Sequence, residues 1–178
     1  MITKASSLVD VAFEVCTALD RVGVRALLVG GSAATFYTGD YQSKDADFVV
    51  TMAPLGVDVQ GAVADLGLRL VGQHYEHPDS EYTIDFLGGP PGIGDDVVTT
   101  WNTVRRDDLL LRVYSRTDSV RDRLSAFYHW ADVSSLRVAL LVAVSGPIEL
   151  AAIADWSERE GETTKFHEFA DALKRLAL

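Results

Sequence analysis

One stretch constrains this chain more than any other. Val24 to Val29 reads as a buried strand, it breaks at Gly30-Gly31-Ser32, and a second strand opens at Asp45-Ala46-Asp47-Phe48-Val49-Val50. Glycines at the turn let backbone N–H groups approach a phosphate closely. Side chains alternate along a strand, so Asp45 and Asp47 point the same way and can share a divalent cation. A phosphate cradle beside paired carboxylates points to metal-assisted chemistry on a nucleotide.

The surrounding pattern places this stretch in an α/β portion. Ser6 or Ser7 caps a first helix carrying Leu8, Val11, Ala12, Val15, Leu19 and Val22 at helical spacing, and Gly23 stops it. Ser32 to Tyr37 is a short helix on the glycine turn. The strand after it closes at Pro54, and Val57 to Leu66 is a helix weakened by Gly61. Leu68 to Val71 reads as a short strand, Gln73 to Glu81 as a polar segment with an exposed hairpin, and Tyr82 to Leu87 as a strongly β-prone run. Gly88 to Asp96 is expected to be an irregular loop, and Leu109 to Tyr114 a last strand. Beyond Arg116 the period changes: Ser119 to Ala131, Ser135 to Ser145, Ile148 to Glu158 and Thr163 to Leu176 all read as helices.

Asp85 stands out within its run. It interrupts Thr83-Ile84-Asp85-Phe86-Leu87, where a strand ordinarily presents apolar or neutral residues. A buried carboxylate without a partner carries a desolvation cost of several kcal/mol, which a divalent cation offsets. An exposed face shared with Thr83 is the simpler account of Asp85 taken alone. With Asp45 and Asp47 on a neighbouring strand, it completes a three-carboxylate set able to hold two ions roughly 3.5–4 Å apart. Oxygen-only donors suit Mg²⁺, which keeps water and phosphate oxygens in its shell.

Motif order and spacing over residues 6–116 resemble the polymerase-β-type nucleotidyltransferase superfamily, in particular its small, largely uncharacterised bacterial branch. The carriers of the resemblance are Gly30, Gly31 and Ser32, the pair Asp45 and Asp47, and the later Asp85. The stretch Asp122-Arg123-Leu124-Ser125-Ala126-Phe127-Tyr128-His129-Trp130 is similar to one subgroup of that branch. Such members commonly carry an Arg and a Thr just before the acidic pair, where this chain has Gln42 and Ser43, leaving Lys44 as the nearest cation.

The resemblance implies an α+β fold: a nucleotidyltransferase-type mixed sheet with packed helices over residues 1–116, then a C-terminal helical bundle over 117–178. It implies that Asp45 and Asp47 hold two Mg²⁺ (or Mn²⁺) ions and that Asp85 binds the one activating the acceptor, acting also as general base. It assigns the β- and γ-phosphates of an NTP to the Gly30 and Gly31 amides and the Ser32 hydroxyl, with Lys44 and Arg123 as nucleotide-binding cations. Arg105, Arg106 and Arg121 are weaker candidates, and a surface pair with Asp122 or Asp118 is the plainer role for Arg123. The implied reaction moves an NMP group from the NTP to an acceptor: a small molecule, a protein side chain or a tRNA end, as in toxin–antitoxin relatives. The alternative is a catalytically weak or inactive nucleotidyltransferase-like protein acting as a module that binds nucleotide or a partner.

Bulk properties narrow these options. A net charge of -10 disfavours a large nucleic-acid partner, so a small molecule or protein is favoured over RNA. One cysteine, Cys16, permits no internal disulfide and fits a reducing cytoplasm. The apolar run from Val138 to Ala154 is broken by Ser145, Gly146, Pro147 and Glu149, which argues against a membrane span. Phe127, Tyr128, Trp130 and Trp156 are expected in the core, and Lys165 and Arg175 on a solvated face.

Overall fold

The computed structural model describes residues 1–176. In chain order the elements are α1 (Leu8–Arg21), β1 (Arg25–Leu28), α2 (Gly30–Tyr37), β2 (Asp45–Met52), α3 (Val59–Ala64), β3 (Arg69–Val71), β4 (His74–Glu76) and β5 (Thr83–Leu87). They continue with β6 (Gly92–Ile93), β7 (Asp96–Val97), β8 (Asn102–Arg106), β9 (Leu109–Val113), α4 (Arg116–Trp130), α5 (Val133–Val144), α6 (Leu150–Arg159) and α7 (Thr163–Leu176). Seven strands form one mixed sheet in the order β3-β4-β5-β2-β1-β9-β8, and four helices follow it. This is the α+β layout expected from the sequence.

The centre of the sheet fixes the geometry that matters. Strand β2 runs antiparallel to β1 and parallel to β5. Ala46 and Phe48 point into the core from one face of β2, beside Ile84 of β5. The alternation then turns Asp45 and Asp47 to the opposite face, where they are half-buried. Asp47 pairs in register with Asp85, so the parallel ladder delivers the third carboxylate beside the second.

Helix ends follow local chemistry. Ser7, not Ser6, caps α1 in a reciprocal box with Asp10: the Asp10 N–H donates to the Ser7 Oγ, and the Ser7 N–H to an Asp10 carboxylate oxygen. Ser115 caps α4, which therefore begins at Arg116, three residues earlier than the apolar spacing places it. Ala131, in the left-handed region at φ 52°, ends that helix.

Four features depart from the sequence expectations. The loop Gly88 to Asp96 is not wholly irregular, since Gly92–Ile93 and Asp96–Val97 form a two-stranded hairpin. Strand β8 lies where the sequence shows no strand signal; its residues are largely exposed and it is held by backbone pairing to β9. Trp130 is not a core aromatic: it is 77 % exposed, whereas Phe127, Tyr128 and Trp156 are buried. Lys165 is not on a solvated face: it is half-buried, donating to the Tyr128 carbonyl and pairing with Glu162.

One apolar core runs through sheet and helices, from Phe13, Leu28, Phe48 and Ile84 to Leu124, Trp156 and Phe169. Cys16 belongs to it, fully buried with its thiol pKa raised by that burial. Helix α1 packs on β1 and β9, while α2 packs on β2 and against α4. Among the described residues no helix is long and apolar enough to cross a membrane.

Candidate active site

Asp45, Asp47 and Asp85 each offer one carboxylate oxygen, and these atoms lie within 4.8 Å of one another. All three side chains are half-buried, and none is in an ion pair among the described residues. The consequence shows at Asp47. Burial first, then the charges of Asp45 and Asp85, push its carboxyl up to about 6, with Arg123 pulling the other way. Crowded, partly desolvated, oxygen-only donors fit a hard divalent cation, which would supply the missing positive charge.

The glycine turn is built against this cluster. Gly30 takes a φ of +64°, open to glycine at little cost, and a side chain there would bring its Cβ to 2.9 Å from an Asp47 carboxylate oxygen. At Gly31 a Cβ would meet the Tyr41 hydroxyl at 2.8 Å and the Ser43 Oγ at 3.0 Å. Both glycines therefore allow a close approach, one to the carboxylates and one to the segment leading into β2. Helix α2 starts at this turn, so its amino end faces the cluster.

Ser32 has inward work. It is fully buried; its hydroxyl donates to the Val29 carbonyl at 2.6 Å and accepts from the Asp47 N–H at 3.1 Å. The serine thus pins the turn to the strand that carries Asp47. Its hydroxyl is engaged within the protein on both counts.

A cleft of about 500 Å³ reaches the cluster at Asp47 and is lined also by Gly30, Gly88, Gly92, Tyr114 and Arg123; Asp45 and Asp85 do not line it. A neighbouring cleft of about 550 Å³ shares Gly92, Gly94, Asp122 and Arg123 with it and extends to His129, Trp130 and Glu160. The larger cleft touches none of the three aspartates. Arg123 thus stands where the two meet. It forms the ion pair with Asp122 that the plainer sequence account allows, at 2.6 Å. Burial works against its charge, but the Asp122 carboxylate, together with Tyr41 and Asp47, holds its pKa above the ordinary value.

The remaining cations sort by position. Lys44 is exposed beside Asp45. Arg106 pairs with Asp10 and covers the Phe13 ring, and Arg105 lies exposed on the same edge strand. Arg121 is held by Asp118 and Asp96. Gln42, where an arginine is common in the resembling family, donates its amide to the Tyr82 hydroxyl.

Sequence inspection missed several residues here. Tyr114 anchors the glycine-rich loop through its hydroxyl, which donates to the Gly92 carbonyl at 3.2 Å. Asp122, by contrast, is the Arg123 partner that the sequence offered. Gly92 and Gly94 line both clefts. Their Gly-x-Gly spacing within a loop after the third aspartate was the available signal.

No family model matches the sequence, and no curated protein matches it. Solved structures do. An antigenic nucleotidyltransferase-like protein from Paracoccidioides brasiliensis superposes with a TM-score of 0.60 at 15% identity, covering 93% of this chain and 94% of its own. ANT(2")-Ia in complex with adenylyl-2"-tobramycin gives a TM-score of 0.48 at 13% identity over 96% and 98% of the two chains, too loose a likeness to bear on the fold. The first shows that this chain has the nucleotidyltransferase fold.

Proposed function

We propose that the protein is a metal-dependent nucleotidyltransferase that moves an NMP group from an NTP to an acceptor. The observation that carries this reading is the uncompensated cluster of Asp45, Asp47 and Asp85 on the shared fold, with the Asp47 carboxyl pushed up to about 6. Asp45 and Asp47 would hold two Mg²⁺ or Mn²⁺ ions, and Asp85 one of them. Bound there, the ions would neutralise phosphate charge and lower the pKa of the acceptor's attacking group.

The chain's own groups supply the rest. The Gly30 and Gly31 amides and the amino end of α2 bind and orient the β- and γ-phosphates. Arg123, at the junction of the two clefts, meets the same anionic groups, and Lys44 reaches them from the solvent side. Asp85 accepts the proton of the acceptor hydroxyl. Ser32 holds the turn and the Asp47 strand in register. Catalysis on this plan is positioning and charge neutralisation.

The acceptor is a small molecule or a protein side chain in preference to RNA, because the chain is strongly acidic. Purified protein is to be incubated with each of the four α-³²P-labelled NTPs, Mg²⁺ and cell lysate. Label moving to a small molecule, a protein or RNA identifies the acceptor class, and no transfer from any NTP refutes the reading. A non-catalytic nucleotide-binding module is the second reading, favoured by Gln42 being tied to Tyr82 where a cation would otherwise stand. It predicts an NTP-dependent rise in Tm without pyrophosphate release.

A further inference from the structure

We infer that Ser43 is a positioning residue that sets the orientation of the Asp45 carboxylate and links it to the glycine turn, an inference that rests on the metal-site reading above. Ser43 is only 7% exposed, although Gln42 and Lys44 on either side are exposed. Its hydroxyl donates to Asp45 Oδ1 at 2.6 Å, the length of a charge-assisted O–H···O⁻ bond. Among the described residues this is the one hydrogen bond that the Asp45 carboxylate receives.

The other side of Ser43 is fixed as well. Its N–H donates to Thr35 Oγ1 at 2.9 Å, and the Thr35 hydroxyl donates to the Gly31 carbonyl at 3.1 Å. A relay of three hydrogen bonds thus runs from the turn assigned to the phosphates, through α2, to the carboxylate assigned to the metal. The absent side chain at Gly31 makes room for it, because a Cβ there would crowd the Ser43 Oγ at 3.0 Å.

One consequence follows from the geometry. With Oδ1 engaged by a donor, Oδ2 is the Asp45 oxygen left unengaged for a cation. Partners of this kind behind a ligating carboxylate ordinarily govern metal affinity.

The test measures Mn²⁺ binding without nucleotide, by the electron paramagnetic resonance signal of free Mn²⁺, alongside the Tm of the metal-free protein. Ser43→Ala is expected to bind Mn²⁺ roughly tenfold more weakly, and Ser43→Thr, which keeps the hydroxyl, to stay within about twofold of wild type. In an Asp45→Asn background, Ser43→Ala is expected to change Mn²⁺ affinity no further, because the carboxylate it orients is gone. A purely packing role would lower Tm without this dependence on Asp45. Should Ser43→Ala fail to fold, Ser43→Cys, which keeps the volume and weakens the donor, takes its place. Wild-type binding matched by Ser43→Ala overturns this inference alone; absence of Mn²⁺ binding by wild type overturns the metal-site reading and this inference with it.

Discussion

Two groups of aspartates in this protein have opposite fates. On β2 and β5, Asp45, Asp47 and Asp85 crowd together with no ion pair among the described residues. On α4 and the β6–β7 hairpin, Asp96 and Asp118 are each matched: Arg121 holds both, and Arg159 adds to Asp96 at 2.8 Å. The paired aspartates fasten the hairpin to the helices. Among the unpaired ones, burial and the charges of its two neighbours disfavour the ionised form of Asp47. Compensation marks scaffold here, and its lack marks the place where a ligand belongs.

The contrast can be broken most sharply by chemistry. Asp85→Asn is expected to lower NMP transfer on the order of 10³-fold, read as pyrophosphate release, because it removes a metal ligand and the proton acceptor together. Retention of activity within tenfold would place the chemistry elsewhere.

Next in size is the scaffold. Arg121→Met strips Asp118 of its cation and leaves Asp96 with Arg159 alone, so it should destabilise by roughly 2–3 kcal/mol and lower Tm by about 4–12 °C, with turnover by the folded fraction changed only a few-fold. A large loss of turnover at unchanged Tm would mean that the matched group also serves the reaction.

The site predicts the reverse sign. Asp47→Asn should stabilise the metal-free protein by about 1 kcal/mol, a rise of roughly 2–4 °C, the modest size reflecting solvent screening at a half-buried group. The same substitution should abolish the Tm increase produced by Mg²⁺ plus NTP. A metal-free variant less stable than wild type would show that the Asp47 charge has a compensating partner after all.

The smallest effect is a pH dependence. The folded-state pKa of Asp47, about 6, lies above the ordinary 3.8, so the folded state binds this proton more tightly than the unfolded one. Its destabilising contribution is full above about 6 and is relieved as pH falls toward 3.8. The Tm advantage of Asp47→Asn over wild type should therefore shrink between about pH 7 and pH 5. Mn²⁺ affinity of wild type should fall over the same interval, because ion and proton compete for one carboxylate.

The sequence made much of the centre of the molecule legible, for local reasons. Alternation sends Asp45 and Asp47 to one face, and a lone Asp85 in a β-prone run is conspicuous by its cost. The margins were harder. Strand β8 has exposed residues and exists through its backbone pairing to β9, so it leaves no apolar pattern to read. Trp130 falls at the end of α4, where Ala131 turns the chain, and helical spacing alone could not show that it faces outward. Ser32 and Ser43 are both hydroxyls near the site; which one faces inward toward backbone and which toward a carboxylate depends on tertiary placement.

The parallel register of β2 and β5 has a further consequence. Asp47 and Asp85 are far apart along the chain and become neighbours only when those two strands have paired. An unfolded or half-assembled chain offers a cation scattered carboxylates and no cage. Metal binding at this cluster would then be a vote cast only by the finished sheet: each increment of Mn²⁺ would draw molecules out of the denatured pool, and the bound fraction would report how much of the population has assembled.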